Sequence, residues 1–338
     1  MKGMVISVAL ACGALSLGSC KMLSQLKKSG EAATKAAGGA QGTQGAAAPS
    51  SADEKDGQLS EKLEGYIYCM NYETRSVYRM KDGYLRDVDA TKGPTGKERN
   101  IYVTDISPEA CIKRIDEAKA KPPAMADLET AAAKYETTLG ALAKLTRTAH
   151  DYYDQKNFKD DKFAQGMAMH RPLMTALDDF EKADKSFEDM VTKLNDGLQQ
   201  RRLARLKDDP KAQLEYQIAK SNDEAKKLVH FAEIESLAKL DAAGYQAALN
   251  QYDQTYQALN TYIEGHPAEA DKVLMLSIFR SASSDYLKAA KELMRRKRDN
   301  KDFTKEFGSP EHIEGHPAQV LSKYNDLVNR SNSLQFRQ

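Results

Sequence analysis

Six residues between positions 245 and 263 set the first constraint on this chain. Tyr245, Leu249, Tyr252, Tyr256, Leu259 and Ile263 recur at spacings of 4, 3, 4, 3 and 4. That is one face of an α-helix; a strand, whose side chains alternate, cannot gather them on one side. The same period runs through most of the chain from Leu59 onward. Leu128, Ala132, Tyr135, Leu139, Leu142, Ala149 and Tyr153 carry it. A longer stripe passes through Phe163, Met167, His170, Met174, Leu177, Asp184, Phe187, Val191, Leu194 and Leu198. Strand-like alternation is confined to Ile101-Tyr102-Val103-Thr104. Trp is absent, and Gly and Pro number only 20 and 10, too few for a sandwich of many turn-linked strands.

Helix punctuation agrees. Ser107-Pro108-Glu109 supplies a cap, a first-turn proline and a first-turn acid. Asp160 and Asp161 stand where a helix starting near Lys162 needs a cap, and Asp208-Asp209-Pro210 closes one helix and opens the next. The pattern predicts helices near 59–88, 108–120, 125–155, 161–207, 211–238, 241–264, 267–300 and 317–334. The fold class expected is all-α, an elongated antiparallel bundle of long helices. The longest would reach ~60 Å at 1.5 Å per residue.

The N-terminus reads as an address. Met1-Lys2 is a short positive region, and residues 4–18 are apolar and small. That run is shorter than the ~20 residues a membrane span needs, but it fits a secretory signal. It ends in Leu17-Gly18-Ser19-Cys20, which resembles the bacterial lipobox: an apolar residue, two small ones, then the cysteine that receives the lipid. Residues 1–19 are therefore expected to be a signal peptide and Cys20 the lipidated residue. Acyl chains contribute ~0.8 kcal/mol per buried CH₂, so several on one cysteine form a lasting anchor. Lys21 follows, not the Asp that marks inner-membrane retention in enteric lipoproteins, so the resemblance implies the outer membrane.

Residues 31–58 contain no Val, Ile, Leu, Met, Phe or Tyr. Such a stretch cannot bury enough apolar area to offset its ordering entropy. The segment 20–58 is read as a flexible Ala/Gly-rich linker with a coil dimension on the order of 35 Å, and 59–338 as the helical domain. Beyond Cys20, the mature chain keeps Cys69 and Cys111. In an oxidising compartment an even pair suggests a disulfide, which would pin the first helix to the helix following the 89–107 loop. Two separate buried thiols are the alternative.

Several blocks then carry a family resemblance: Tyr66-Ile67-Tyr68-Cys69-Met70-Asn71, Gly93-Pro94-Thr95-Gly96-Lys97-Glu98-Arg99, Cys111, and Tyr152-Tyr153-Asp154-Gln155 running on to Phe158-Lys159-Asp160-Asp161-Lys162-Phe163, Gly166 and His170. In this order they resemble the YiiG-like bacterial lipoproteins, a family of unknown function. The resemblance spans roughly residues 59–335. It implies a helical, lipid-anchored envelope protein and brings no catalytic residues to carry over.

Candidate chemistry is sparse. Gly93 to Lys97 looks like a phosphate loop, but its glycines are too close and Glu98 stands where a Mg²⁺-binding Ser or Thr belongs. His170 lies on an apolar stripe two residues before Pro172, an interior proline that predicts a kink. With Tyr152, Tyr153, Asp160 and Asp161 it could form a polar pocket or a metal site; a histidine satisfied within the core is the plainer alternative. His230 and Glu233 share a helix face but supply only two ligands, and no Glu-x-x-His pair, HExxH or CxxCH occurs. Ile-Glu-Gly-His-Pro-Ala occurs at 263–268 and again at 313–318, which reads as helix punctuation used twice. Two basic clusters, Arg201–Lys207 and Arg295–Arg298, fall at expected helix C-termini, where cations complement the helix dipole.

Lys+Arg (50) and Asp+Glu (49) nearly cancel, so no long-range field collects nucleic acid. The expected function is a non-enzymatic envelope lipoprotein: a membrane-tethered helical binding or scaffolding module, without a cofactor, for an unidentified envelope protein or ligand. The alternative is a periplasmic metal or small-ligand binder centred on His170.

Overall fold

The computed structural model describes residues 51–234, 236–303 and 306–337. The expected signal peptide at 1–19, Cys20 and the linker up to residue 50 lie outside the described residues. The described chain is predominantly helical, as its periodicity requires, and divides into two compact units, 51–196 and 197–337.

The N-terminal unit holds α1 (Ser51–Cys69), a π-helical turn (Met70–Thr74), α2 (Arg75–Asp87), α3 (Glu109–Lys119), α4 (Ala126–Asp154), the one-turn α5 (Phe158–Asp161) and most of α6 (Ala164–Asp208). Helix α1 packs on α3. The core is aromatic: the ring centroid of Tyr135 lies 5.3 Å from that of Phe180 and 5.1 Å from that of Phe187, and Tyr66 meets Phe187 edge-on at 5.3 Å. Lys62, fully buried, ties α1 to the start of α4 through Glu129 at 2.5 Å and to the carbonyl of Lys121 at 3.0 Å.

The C-terminal unit comprises the last turns of α6, then α7 (Gln213–His230), α8 (Ala242–Gly265), the one-turn α9 (Pro267–Ala270), α10 (Leu276–Arg298) and α11 (Pro317–Asn332). Helix α7 packs on α8, α8 on α10, α10 on α11 and α11 back on α7, closing a four-helix bundle. The tyrosine stripe of α8 faces this core. Tyr245 and Tyr252 are fully buried and donate to the carbonyls of Ala290 (2.9 Å) and Ser283 (3.1 Å), while Tyr286 donates to Ala225 (3.0 Å). Each ring thus buries a large apolar body and satisfies its hydroxyl on a neighbouring helix.

The structure differs from the sequence reading at several boundaries. Helix α1 begins at Ser51, so residues 51–58 are helical rather than linker; Asp53 and Glu54 occupy the first turn, where acids suit the helix dipole. The expected helix 59–88 contains the π turn, one extra residue per turn that an apolar period cannot mark. Ile101–Thr104 forms no strand: Ile101 and Val103 are buried, but the segment has no β partner. Two-residue strands appear instead at β1 (Val273–Leu274) and β2 (Gln335–Phe336), paired antiparallel with Val273 opposite Phe336. This pairing interrupts the expected helix 267–300. Helix α7 stops at His230, short of 238, and Lys297 caps the following turn by donating to the carbonyls of Leu237 (2.8 Å) and Ala238 (3.2 Å). Helix α6 continues through Pro172.

Candidate functional site

Two of the sequence blocks, sixty residues apart, meet around His170 in the N-terminal unit. Asp89 starts a tight turn: its carbonyl accepts from Gly93 N at 2.9 Å, and its carboxylate accepts from the amides of Thr91 and Lys92. The turn rests on the His170 ring, which is 6% exposed. Nε2 lies 3.0 Å from the carbonyl of Ala90, and a carbonyl can only accept, so Nε2 carries the proton. Nδ1 then accepts from the Tyr84 hydroxyl at 2.9 Å. Burial chiefly pushes the Tyr84 phenol up to about 12, keeping it a donor. Both ring nitrogens are engaged, so the ring offers no lone pair to a metal. Among the described residues there is also no group of three or more His, Cys, Asp and Glu placed to hold one.

The Tyr152–Phe163 block builds the start of α6. Tyr152 donates to Asp161 Oδ1 at 2.7 Å, and Asp161 Oδ2 accepts from the amide of Gln165 at 2.9 Å. The hydrogen bond from Tyr152 and those from the helix amides hold the Asp161 carboxyl below its ordinary range. Asp161 therefore performs the capping expected of the acidic pair, while Asp160 is exposed. Lys162 and Phe163 both adopt left-handed backbone (φ 55° and 67°), which brings Phe163 onto Phe158 at 4.7 Å. Tyr153 is buried near Tyr84, and Gly166 passes so close that an added Cβ would lie 2.8 Å from the Tyr153 hydroxyl oxygen. His170, Tyr152, Tyr153 and Asp161 are thus brought to one region, where they fasten a loop and a helix end.

The Gly93–Lys97 segment is not a phosphate cradle. Its donors turn to its own side chain: Glu98 accepts from Thr95 N (2.8 Å), Thr95 Oγ1 (2.7 Å) and Lys97 N (3.1 Å). Burial works against the charge, but these bonds lower the Glu98 pKa overall.

A second polar centre lies deeper. Asp184, 3% exposed, accepts from Thr74 Oγ1 at 2.8 Å and Tyr78 at 3.1 Å, and Thr74 also meets the Tyr135 hydroxyl at 3.1 Å. Burial raises the carboxyl to about 6, against the lowering effect of the two hydroxyls. The π turn ends at Thr74, so the extra residue delivers this hydroxyl to the carboxyl. Sequence reasoning placed Asp184 on an apolar stripe without giving it a role; a charge at an inward position was the available signal. Lys62 was missed altogether.

Cys69 and Cys111 lie at disulfide distance, Cα–Cα 5.0 Å, both fully buried. His230 and Glu233 meet each other at 3.2 Å on an exposed face. Both copies of the hexamer are helix punctuation: Pro267 opens α9 and Pro317 opens α11, where His316 Nδ1 accepts from Ala318 N at 3.0 Å. In the second basic cluster Arg295, Arg296 and Arg298 pair with Glu292, Glu306 and Asp299. Arg202 of the first pairs with Glu215 at 2.6 Å. Among the described residues no helix is long and apolar enough to cross a membrane.

These features define a mostly helical domain whose buried polar groups join helices and fasten loops. The profile of a family described as a protein of unknown function (DUF3829) matches residues 57–333, and the chain belongs to that family. It is 28% identical over 295 residues to the uncharacterized protein YiiG of Escherichia coli (strain K12), covering 82% of this chain and 79% of that protein. No solved structure matches.

Proposed function

We propose that this chain is a non-enzymatic cell-envelope lipoprotein that holds a helical binding or scaffolding module at a membrane surface. The observation that carries the reading is Leu17-Gly18-Ser19-Cys20 placed directly after the apolar run 4–18. In this reading residues 1–19 are removed, Cys20 carries the acyl chains, and the segment up to Ser51 spaces the helical body from the lipid. Lys21 directs the protein to the outer membrane, facing the periplasm. Support comes from the buried Cys69 and Cys111 at disulfide distance, an arrangement suited to an oxidising compartment. The polar clusters support the non-enzymatic part: the ring nitrogens of His170 and the oxygens of Asp161 and Glu98 are taken up by neighbouring structural groups.

The test is fractionation of cells expressing the parent chain and Cys20→Ala. The parent should stay with membranes through detergent-free washing and Cys20→Ala should be released. Equal retention of both would remove the anchor from the proposal. Turnover of a cell-wall or lipid substrate by the purified protein would remove its non-enzymatic part.

A further inference from the structure

We infer that α6 and α4 of the N-terminal unit form a docking surface for a second copy of this chain, related to the first by a two-fold axis through Thr175. The surface is a groove of ≈ 440 Å³ walled by Thr137, Thr138 and Ala141 of α4 and by Arg171, Thr175 and Asp179 of α6. Apart from Arg171 its walls are small or short side chains, so a neighbouring helix can approach the backbone closely.

Charge selects the occupant. Arg171, Thr175 and Asp179 follow one another at four-residue intervals, so they form one ridge along α6. Arg171 is exposed and makes no ion pair among the described residues. Asp179, with its side chain 59% exposed, has among the described residues only the exposed Lys182 at 3.8 Å. The ridge is therefore positive at one end, negative at the other, and neutral at its centre, over ~12 Å of helix. An identical ridge laid antiparallel, crossing at Thr175, sets each Arg171 against the other copy's Asp179. Each α6 then lies in the other copy's groove. This is the self-complementarity that an isologous contact requires.

The experiment is disulfide capture in the purified full chain. A residue on a two-fold axis faces its own counterpart, so Thr175→Cys treated with copper phenanthroline should give a covalent dimer on a non-reducing gel. Lys113→Cys, also exposed but outside the groove, provides the background from the other cysteines. Adding Arg171→Asp to Thr175→Cys should reduce the captured dimer at least tenfold, and adding Asp179→Arg as well should restore it. Restoration also shows that the single reversal did not merely unfold the chain. Capture no greater than for Lys113→Cys would overturn the inference. So would failure of the double reversal to restore it, or protection of Thr175→Cys from maleimide in a chain that sediments as a monomer, which would assign the groove to another occupant.

Discussion

Gly93 holds its backbone against the ring of His170 so closely that an added Cβ would lie 2.9 Å from both Cδ2 and Cγ. The ring cannot retreat, because Tyr84 and Ala90 hold its two nitrogens from opposite sides. Gly93 also has φ +74°, a conformation that side chains with a Cβ disfavour by ~1–2 kcal/mol. Steric and conformational penalties therefore add. Gly93→Ala is expected to destabilise the N-terminal unit by about 2 kcal/mol or more, read as a lower denaturation midpoint. His170→Ala in the same background should recover part of the loss, since it removes the obstructing ring.

Asp160 and Asp161 are neighbours with opposite expected sensitivities. Asp161 joins Tyr152 to the first turn of α6, whereas Asp160 is exposed beside it. Asp161→Ala should lower the melting temperature and loosen the start of α6, seen as faster amide exchange at Gln165. Asp160→Ala should leave both unchanged. Tyr152→Phe, which removes one of the two bonds to Asp161, should fall between them. Equal effects of the two alanine variants would show that the pair acts by charge alone.

What could be read from the sequence follows from what periodicity records. The sequence bounds of α3, α4, α8 and α11 agree with the structure to within two residues because each presents a sustained apolar face, and Pro108, Asp241, Gly265 and Pro317 mark boundaries of α3, α8 and α11. Periodicity does not record an inserted residue, so the π turn at Met70–Thr74 was invisible, and with it the meeting of Thr74 and Asp184. Nor does it record long-range pairing: Val273 and Phe336 form a ladder across sixty residues that neither segment announces. The blocks around His170 were recognisable as unusual, yet their chemistry was not. Glu98 looks like a departure from a phosphate loop and is the acceptor for its own loop; Tyr152 and Asp161 look like pocket residues and form a helix cap. In both cases the partner of the polar group is set by backbone geometry that spacing alone does not supply.

The Asp184 carboxyl gives the stability of the N-terminal unit a pH dependence of known sign. Its pKa rises from 3.8 to about 6 on folding, chiefly by burial. The native state then binds the proton more tightly than the unfolded state, so this group's contribution is full below pH ~4 and declines as pH rises to ~6. The change is on the order of 2–3 kcal/mol. Asp184→Asn keeps the shape and cannot titrate, so the difference in unfolding free energy between parent and variant should change across pH 4–6 and stay constant above it. Comparing the two cancels the oppositely shifted Glu98 and Asp161. A difference that does not vary with pH would mean the carboxyl keeps its ordinary affinity for protons.

The cysteine pair couples the fold to its compartment. Cys69 is the last residue of α1, directly before the π turn, and Cys111 lies in α3, so a bond between them closes the chain across the 89–107 loop. On the chain-entropy account, closing a loop of about forty residues stabilises by up to ~4 kcal/mol. Both sulfurs are fully buried, so reductant should act slowly on the folded chain and quickly once denaturant exposes the pair. Protein recovered from the cell envelope should show no free thiol at either position by mass spectrometry after alkylation in denaturant. Reduction in denaturant followed by refolding with the thiols blocked should lower the denaturation midpoint of the N-terminal unit and leave that of the four-helix C-terminal unit unchanged. Cys69→Ser with Cys111→Ser should reproduce this without reductant. If alkylation instead finds both thiols free in envelope protein, the pair is two buried thiols and the loop is held by packing alone.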